Sequence, residues 1–232
     1  FYRSPFYLRW LDVWNQMIPD WVIYEKPLYR FFSLSGHREV ARLFRAEAPP
    51  DAWMVDLGCG RGELFHFVDP ARCIGVDGNR EFLAHLKARF PEATAIHADF
   101  TRLPFGDGVL DCAVSLHTLE HLYFLAECLE EAGRVLGRDG HFIFSIPTEG
   151  GLGWKLGRKL VTGPHLRRRY GLDVEKVMTI EHINDATRVL RLMGLYFDVG
   201  RLVYRPFRFL PVLALNSSIT GVARWNPDRL AV

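Results

Sequence analysis

The chain of 232 residues and 26.7 kDa is long enough for one α/β domain with additions and too short for two full domains. Hydrophobic residues make up 49% of it and charged residues 24%, which predicts a packed soluble core. The net charge of +2 hides an asymmetry, because residues 1–150 balance to −6 whereas residues 151–232 carry 14 Lys and Arg against 6 Asp and Glu. This basic section is interpreted either as a surface for an anionic substrate or membrane, or as a solvated face.

Cysteine spacing and hydropathy indicate the cellular compartment in which the protein is expected. The four cysteines form neither a CxxC pair nor a zinc-ligand pattern, which favours a reducing, cytoplasmic setting. No run of about 18 apolar residues is present, so no membrane-spanning helix is predicted. The opening "FYRSPFYLRW" has neither an initiator methionine nor a signal-peptide pattern, and we expect a trimmed start.

The predicted elements alternate between helix and strand. Residues 1–36 are rich in aromatic side chains and are predicted to form a cap of short helices, and residues 37–48 a helix that Pro49 and Pro50 end. Five strands and two helices follow: strands within 52–57, 71–77, 93–99, 109–116 and 140–147, and helices at 80–90 and 121–136. Such alternation predicts an α/β fold with a mostly parallel sheet and helices on both faces.

Beyond the fifth strand the pattern is less regular. Residues 148–173 are predicted to be irregular. A helix at 184–194 has Asn184 or Asp185 as its N-cap and Gly194 at its end, and a strand follows at 195–204.

The stretch "VDLGCGRGE", Val55–Glu63, places Gly58, Gly60 and Gly62 directly after the first predicted strand. Open α/β sheets bind ligands at this edge, and glycine lets a ligand approach the backbone without a Cβ in the way. A dinucleotide-binding motif requires G-x-G-x-x-G, and its third glycine position is Glu63 here.

Acidic residues at the ends of the next two strands refine this prediction. Asp77 ends the second strand and suits ribose hydroxyls in either kind of site, so it does not discriminate. Asp99 ends the third strand in "HADFTRLPF", where a carboxylate can accept from an adenine amino group while Phe100 and Leu103 shelter the ring.

With these motifs in order, the sequence resembles class I S-adenosylmethionine-dependent methyltransferases of type 11, in the small-molecule and glycolipid branch. The resemblance covers roughly residues 37–200, including "FGDGVLDCAVSLHTLEHL" and "AGRVLGRDGHFIFSIP". It implies a Rossmann-like, seven-stranded sheet with an antiparallel last strand, for which residues 217–225 are the candidate. It also divides the chain into the aromatic cap at 1–36 and a methyltransferase domain at 37–232, with a substrate-side insertion at about 148–183.

The resemblance implies S-adenosylmethionine as the cofactor and a set of residues that hold it. Asp56, Gly58 and Gly60 would line its methionine portion, Asp77 its ribose and Asp99 its adenine amino group. The full set predicted to bind the cofactor is Asp56, Gly58, Cys59, Gly60, Asp77, Gly78, Asp99, Phe100, Leu116 and His117. Cys59 is interpreted as a packing residue rather than a nucleophile.

Three histidines are the candidate catalytic residues: His117 and His121 in "SLHTLEHL" and the later His182. In one interpretation Glu120 and His121 cap a helix and bond to neighbouring loops. In a second, His117 or His121 is the general base. In a third, H-x-x-E-H with His182 resembles the metal set E-x-x-E-H…H of small-RNA 2′-O-methyltransferases. Histidine at the first position suits Mg²⁺ poorly, so no metal ligand is predicted and a divalent ion stays an open alternative.

The acceptor is less defined. Arg167, Arg168 and Arg169 could clamp an anion or form a solvated helix face, and the basic, aromatic segment 204–219 could contact a membrane or pack internally. The resemblance favours a small-molecule or glycolipid acceptor, methylated on a sugar or other hydroxyl oxygen in polysaccharide or natural-product biosynthesis. Nucleic acid is disfavoured because the basic patch is short. A nicotinamide-dependent oxidoreductase and a non-catalytic protein of the same fold are the alternatives.

Overall fold

The computed structural model describes residues 8–10, 12–13, 27–138, 140–148, 155, 158–205, 207–208, 216 and 218–230, without the side chains of 27–33, 161 and 230. In these residues the helices are α1 Pro27–Glu47, α2 Arg80–Arg89, α3 Leu125–Leu136, α4 Gly163–Tyr170, α5 Val174–Glu181 and α6 Ala186–Tyr196. The strands are β1 Met54–Leu57, β2 Cys73–Asp77, β3 Thr94–His97, β4 Cys112–Leu116, β5 His141–Pro147, β6 Phe197–Arg205 and β7 Ser218–Trp225.

These strands form one sheet in the order β3-β2-β1-β4-β5-β7-β6. β1 pairs in parallel with both β2 and β4, and β7 pairs antiparallel with β5 and with β6. The predicted Rossmann-like sheet with an antiparallel last strand is therefore confirmed, and the candidate segment 217–225 contains that strand. The strand order reverses between β1 and β4, which is where open α/β sheets form a crevice for ligands.

Helices cover both faces of the sheet. On one face α3 and α6 bury residues such as Leu129 and Val189 against Phe142 and Phe144 of β5. On the other face α1 and α2 bury residues such as Val40 and Leu86. The central strands β1 and β4 are buried along their whole length, as expected for parallel strands covered on both sides.

Several predicted boundaries were wrong. The helix predicted to start at residue 37 begins at Pro27, so it runs through the boundary at 36/37, and it ends at Glu47 just before Pro49. The helix predicted from residue 121 begins at Leu125, because residues 119–121 form a separate 3-10 turn. Gly194 does not end α6, which continues to Tyr196, and the N-cap of α6 is Asp185, whose side chain accepts from the Arg188 backbone N–H.

The segment 148–173, predicted to be irregular, is partly helical. A π-helical turn spans Arg158–Thr162 and leads directly into α4. Trp10 and Val13, from helical residues near the amino terminus, pack in a small core with Leu166 of α4 and Val177 of α5. The described residues of the aromatic amino end therefore cover the insertion. No helix in the described part of the chain is long and apolar enough to cross a membrane.

Candidate functional site

The glycine turn after β1 is held closely by the protein itself. Gly58, Gly60 and Gly62 all have positive φ angles, of 79°, 52° and 78°. A Cβ on Gly58 would lie 2.3 Å from the side chain of Thr118, whose hydroxyl donates to the Gly58 carbonyl at 3.1 Å. A Cβ on Gly60 would meet nothing within 4 Å. Gly58 is thus required by packing, and Gly60 is the position open to a ligand.

Asp56, in β1 just before this turn, is a carboxyl group held away from water. The residue is buried and its Oδ1 makes no hydrogen bond to any described group. Burial first, and then the charge of Asp77, raise the pKa of Asp56 to about 8. A buried carboxylate without a partner is costly, so this site is built for a ligand that brings positive charge or donors.

Asp77, at the end of β2, organises the same turn. One carboxylate oxygen accepts from the Gly60 backbone N–H at 2.9 Å and the other from Asn79 N–H at 2.8 Å. Burial raises the pKa of Asp77, although these backbone donors oppose the shift. Each oxygen keeps a second acceptor position, which is what a ribose diol requires. Gly78 follows, and its carbonyl contacts His97 Nε2 at 3.1 Å.

Asp99 is exposed at the end of β3. Its Oδ1 accepts from both the backbone N–H and the hydroxyl of Thr101, at 2.8 Å each, and these bonds lower its pKa. Phe100 and Leu103, beside it in the chain, are buried. The loop is anchored to α3, because the Leu103 N–H donates to Glu131 at 2.6 Å.

Cys59 is a packing residue, as predicted. Its side chain is buried, and its Sγ would lie 2.7 Å from a Cβ on Gly75 of β2. Burial, followed by the charges of Asp56 and Asp77, raises the pKa of the thiol well above its usual range. Any contact of Cys59 with a ligand in the turn would therefore use its backbone.

Leu116 ends β4, and His117 follows it in a strained conformation. His117 has φ 51°, the one positive φ at a non-glycine residue in the described chain, and such strain concentrates at functional sites. Its backbone N–H donates to the Ser145 carbonyl at 2.9 Å, which holds the turn against β5.

The other histidines and Glu120 gather next to His117. Glu120 Oε1 lies 3.7 Å from His117 Nδ1 and 3.8 Å from His121 Nε2. His121 Nδ1 is 2.8 Å from the Glu181 carbonyl oxygen, and the His121 and His182 rings meet edge to face with centroids 4.7 Å apart. The structure thus brings all three predicted catalytic histidines together. The interpretation that Glu120 and His121 cap a helix was wrong, because the N-cap of α3 is Phe124, but its second half holds, since His121 contacts the Glu181 carbonyl.

Burial and charge set the ionisation of this cluster. Burial raises the pKa of Glu120, but the neighbouring His117 and the charges of the surrounding histidines outweigh it and leave the pKa lowered. Burial, followed by the charge of His121, lowers the pKa of His182 to about 3. Glu120 is therefore ionised and His182 is neutral near pH 7. Among the described residues, no group of three or more His, Cys, Asp or Glu side chains is arranged to hold a metal ion.

Sequence reasoning missed two residues that build the site. Asn184, considered only as an N-cap, instead donates from its side chain to the carbonyls of Leu119 and Leu122 at 3.1 and 2.7 Å. Thr118 fixes the glycine turn, as described above. Neither contact has a local signal in the sequence, since Asn184 acts on a turn more than 60 residues away.

A further group that the sequence did not indicate lies near the ends of β6 and β7. Glu39 of α1 is buried and forms ion pairs with Arg42, Arg205 and Arg208. Arg167, Arg168 and Arg169, by contrast, are exposed at the end of α4, where Arg167 forms an ion pair with Asp173. Most of the segment 204–219 lies outside the described residues.

The residues of the turn fit the predicted cofactor. S-adenosylmethionine carries an ammonium group, a sulfonium, a ribose diol and an adenine. The unbonded oxygen of Asp56 offers a partner for a cation. The open space at Gly60 lets a ligand approach the backbone, and the remaining acceptor positions of Asp77 suit a diol.

Comparisons with known proteins agree with this geometry. A family model described as a methyltransferase domain matches residues 55–144. A probable S-adenosylmethionine-dependent methyltransferase of Mycolicibacterium smegmatis is 34% identical over 96 residues, covering 40% of this chain and 37% of that protein. A malonyl-[acyl-carrier protein] O-methyltransferase of Geobacter sulfurreducens is 35% identical over 123 residues, covering 48% and 44%. The chain thus spans less than half the length of these relatives.

Solved structures share the fold. A protein of Pyrococcus horikoshii superposes with a TM-score of 0.60 at 18% identity, over 87% of this chain and 92% of that one. A geranyl diphosphate C-methyltransferase of Streptomyces coelicolor, solved with Mg²⁺, geranyl diphosphate and S-adenosyl-L-homocysteine, superposes with a TM-score of 0.56 at 14% identity, over 83% and 80%. At such identities the likeness extends to the fold alone.

Proposed function

We propose that this chain is a class I S-adenosylmethionine-dependent methyltransferase and that it transfers a methyl group from S-adenosylmethionine to a hydroxyl oxygen of its acceptor. The observation that carries this proposal is Asp56, a buried carboxylate with an unbonded oxygen beside an open glycine turn. The anionic pyrophosphate of a nicotinamide dinucleotide would disfavour ionised Asp56, whereas the ammonium group of S-adenosylmethionine would favour the ionised carboxylate and pair with it.

The remaining cofactor roles follow the order of the strands. Asp56, Gly58, Gly60 and the Cys59 backbone would hold the methionine portion, and Asp77 with Gly78 the ribose. Asp99 and Phe100 would bind the adenine, and Leu116 with His117 would lie near the sulfonium. When bound, the cofactor supplies an electrophilic methyl group on that sulfonium.

The chain's own contribution to transfer would be orientation and proton removal. A hydroxyl acceptor must lose its proton as it attacks, and an adjacent imidazole can accept that proton. His117, at the end of β4 with its side chain partly exposed, is the best placed base. His121 and His182 would have a supporting role, because His121 lies next to Glu120 and the His182 ring packs against His121.

The acceptor is proposed to be a sugar or another hydroxylated small molecule, free or lipid-linked, in polysaccharide or natural-product biosynthesis. Hydroxyl groups near His117 support a polar acceptor: Ser145 and Ser218 lie near His117 Nε2, and Thr220 donates to Ser145 at 3.1 Å. Glu39 gathers arginines in ion pairs, and residues 151–232 carry a net charge of +8. Both features would suit an anionic acceptor or the surface of an anionic membrane.

The insertion at about 148–183 and the aromatic cap are proposed to close over the acceptor. Trp10 of the cap donates its indole N–H to Glu181, and the Glu181 carbonyl contacts His121. A cytoplasmic location is proposed on the basis of the four cysteines, which are all free and buried.

Binding and turnover test these proposals separately. We would titrate the protein with S-adenosylmethionine, S-adenosylhomocysteine, NAD and NADP by calorimetry, and expect only the two adenosyl compounds to bind. Hydroxylated sugars and glycolipid extracts would then be incubated with isotopically labelled cofactor and analysed by mass spectrometry. Labelled methyl ethers support the proposal. Cofactor binding without any methylated product would favour a non-catalytic protein, and binding of NAD would favour an oxidoreductase.

A further inference from the structure

We propose that Glu120 is a positioning residue, which fixes the tautomer of His117 so that His117 Nε2 presents its lone pair beside the serine hydroxyls between α1 and the β5–β7 pair. This inference rests on the proposed function for its effect on turnover. The tautomer itself can be measured without turnover.

The burial of Glu120 is the first step. Its side chain is 2% exposed and its Oε2 makes no hydrogen bond to any described group, so its charge depends on the imidazoles at Oε1. A buried carboxylate is tolerated only where donors face it. Burial raises the pKa of Glu120, but the neighbouring His117 and the charges of the surrounding histidines outweigh burial and leave it lowered, in agreement with an ionised carboxylate between two imidazoles.

The ionised carboxylate dictates the proton on His117. A carboxylate accepts hydrogen bonds and donates none. His117 Nδ1 lies 3.7 Å from Glu120 Oε1, beyond hydrogen-bond distance, so the negative charge favours the tautomer with hydrogen on Nδ1 through electrostatics. In a neutral imidazole the other nitrogen is then an acceptor. Glu120 therefore makes Nε2 the basic atom of His117.

His117 Nε2 faces away from Glu120, toward α1. A Cβ built on Gly36 of α1 would lie 3.8 Å from Nε2, 3.3 Å from Ser145 Oγ and 3.9 Å from Ser218 Oγ. The absence of a side chain at Gly36 keeps Nε2 beside the two serine hydroxyls, which are themselves buried. An acceptor hydroxyl would approach from the partly exposed side of the His117 ring.

The other two histidines are arranged differently. His121 Nδ1 lies 2.8 Å from the Glu181 carbonyl and its Nε2 lies 3.8 Å from Glu120, so both of its ring nitrogens face acceptors. His182 is largely buried, with its ring edge against His121. Of the three predicted catalytic histidines, His117 alone has a ring nitrogen shown facing the serine hydroxyls, so we assign the base role to His117 and a supporting role to the other two.

The first experiment is a long-range ¹H–¹⁵N spectrum of the full chain with ¹⁵N-labelled histidine, with His117 assigned from the spectrum of His117→Gln. We expect His117 to be protonated at Nδ1 in the wild-type protein. In Glu120→Leu, which removes the acceptor, we expect a mixture of tautomers. A wild-type His117 protonated at Nε2 overturns the proposal, whether or not methyl transfer is ever detected.

The second experiment measures turnover of the full chain with an acceptor identified by the screen above. In Glu120→Gln we expect kcat to fall by about tenfold or more, part of the roughly 10²–10⁴-fold that a general base contributes, with the acceptor KM and cofactor affinity little changed. In a His117→Gln background the same change should have no further effect on kcat. Glu130→Gln, on the exposed side of α3, is the matched control and should behave as wild type.

Two outcomes of the kinetics contradict the proposal. Equal losses from Glu120→Gln in the wild-type and His117→Gln backgrounds would show that Glu120 acts independently of His117. Loss of wild-type turnover in EDTA, restored by Mn²⁺ only when Glu120 is present, would make Glu120 a metal ligand instead. Failure of the proposed function itself is distinct, because it would appear as no turnover in the wild type with the tautomer intact.

Discussion

At the scale of single residues, Asp77 has two tasks that can be separated. Its carboxylate holds the backbone N–H groups of Gly60 and Asn79 and is proposed to accept from the cofactor ribose. We expect Asp77→Ala to weaken S-adenosylmethionine binding by about 1.5–3 kcal/mol, the range for hydrogen bonds to a charged group. Calorimetry would measure this loss, and Asp51→Ala, at an exposed surface carboxylate paired with Arg72, is the control. Unchanged affinity in Asp77→Ala would remove Asp77 from the ribose site.

Gly58 and Gly60 differ in the space available for a side chain, and alanine substitutions should reveal this difference. At both Gly58 and Gly60 alanine would adopt a left-handed conformation, at a cost of roughly 1–2 kcal/mol. At Gly58 the new Cβ would also clash with Thr118, whereas at Gly60 it would enter open space. We expect Gly58→Ala to lose more stability in urea denaturation, and Gly60→Ala to lose more cofactor affinity.

The Gly58 effect has an internal check. Thr118→Ala removes the atoms that the new Cβ would meet, so Gly58→Ala should cost less stability in the Thr118→Ala background than in the wild type. Equal costs in both backgrounds would show that backbone conformation alone requires the glycine.

At the scale of elements, Asn184 connects the turn that carries Glu120 and His121 to the start of α6. Its side chain satisfies the carbonyls of Leu119 and Leu122, and its backbone N–H donates to the Glu120 carbonyl at 3.0 Å. Asn184→Ala should cost about 1–3 kcal/mol of unfolding free energy, because two buried carbonyls lose their donors. It should also lower turnover while leaving cofactor binding intact.

Asp185→Ala is the matched comparison. Asp185 is the N-cap of α6 and its loss should cost about 1 kcal/mol of stability. Because its side chain does not reach the turn at 119–122, turnover should be retained. If both variants lose turnover equally, the turn depends on the stability of α6 as a whole and not on the Asn184 side chain.

The elements also show what the sequence could and could not specify. Strands such as Cys112–Leu116 were predicted because apolar runs between turn residues are local signals, whereas the antiparallel Ser218–Trp225 was a candidate only through the family resemblance. The early start of α1 at Pro27 was missed because the aromatic residues before 37 have no clean helical period. The contacts of Thr118, Glu39 and Asn184 were missed because each joins residues far apart in the sequence.

At the scale of the whole molecule, the site makes stability and cofactor binding depend on pH. The pKa of Asp56, about 8 in the folded chain, is above its ordinary value of 3.8. The folded state therefore holds this proton more tightly than the unfolded state. The resulting stability is fully present below about pH 4 and is lost as pH rises through about 8.

Asp56→Asn should remove this dependence. Without ligand, we expect the variant to be more stable than wild type near pH 8, because it has no buried charge to form, and to bind S-adenosylmethionine more weakly. Thermal melts from pH 5 to pH 8.5, with and without ligand, measure both effects. A variant that melts at the wild-type temperature at every pH would show that Asp56 does not titrate in this way.

The central claim is that the turn after β1 and the carboxylate beneath it bind the cationic cofactor. The most direct measurement is calorimetric titration of the wild-type chain with S-adenosylmethionine near pH 7, in two buffers of different ionisation enthalpy. We predict binding with release of a proton, because the ammonium group favours ionised Asp56, and we predict that Asp56→Asn abolishes the release. Binding of NAD in place of S-adenosylmethionine, or binding of S-adenosylmethionine with no dependence on buffer, would contradict the account.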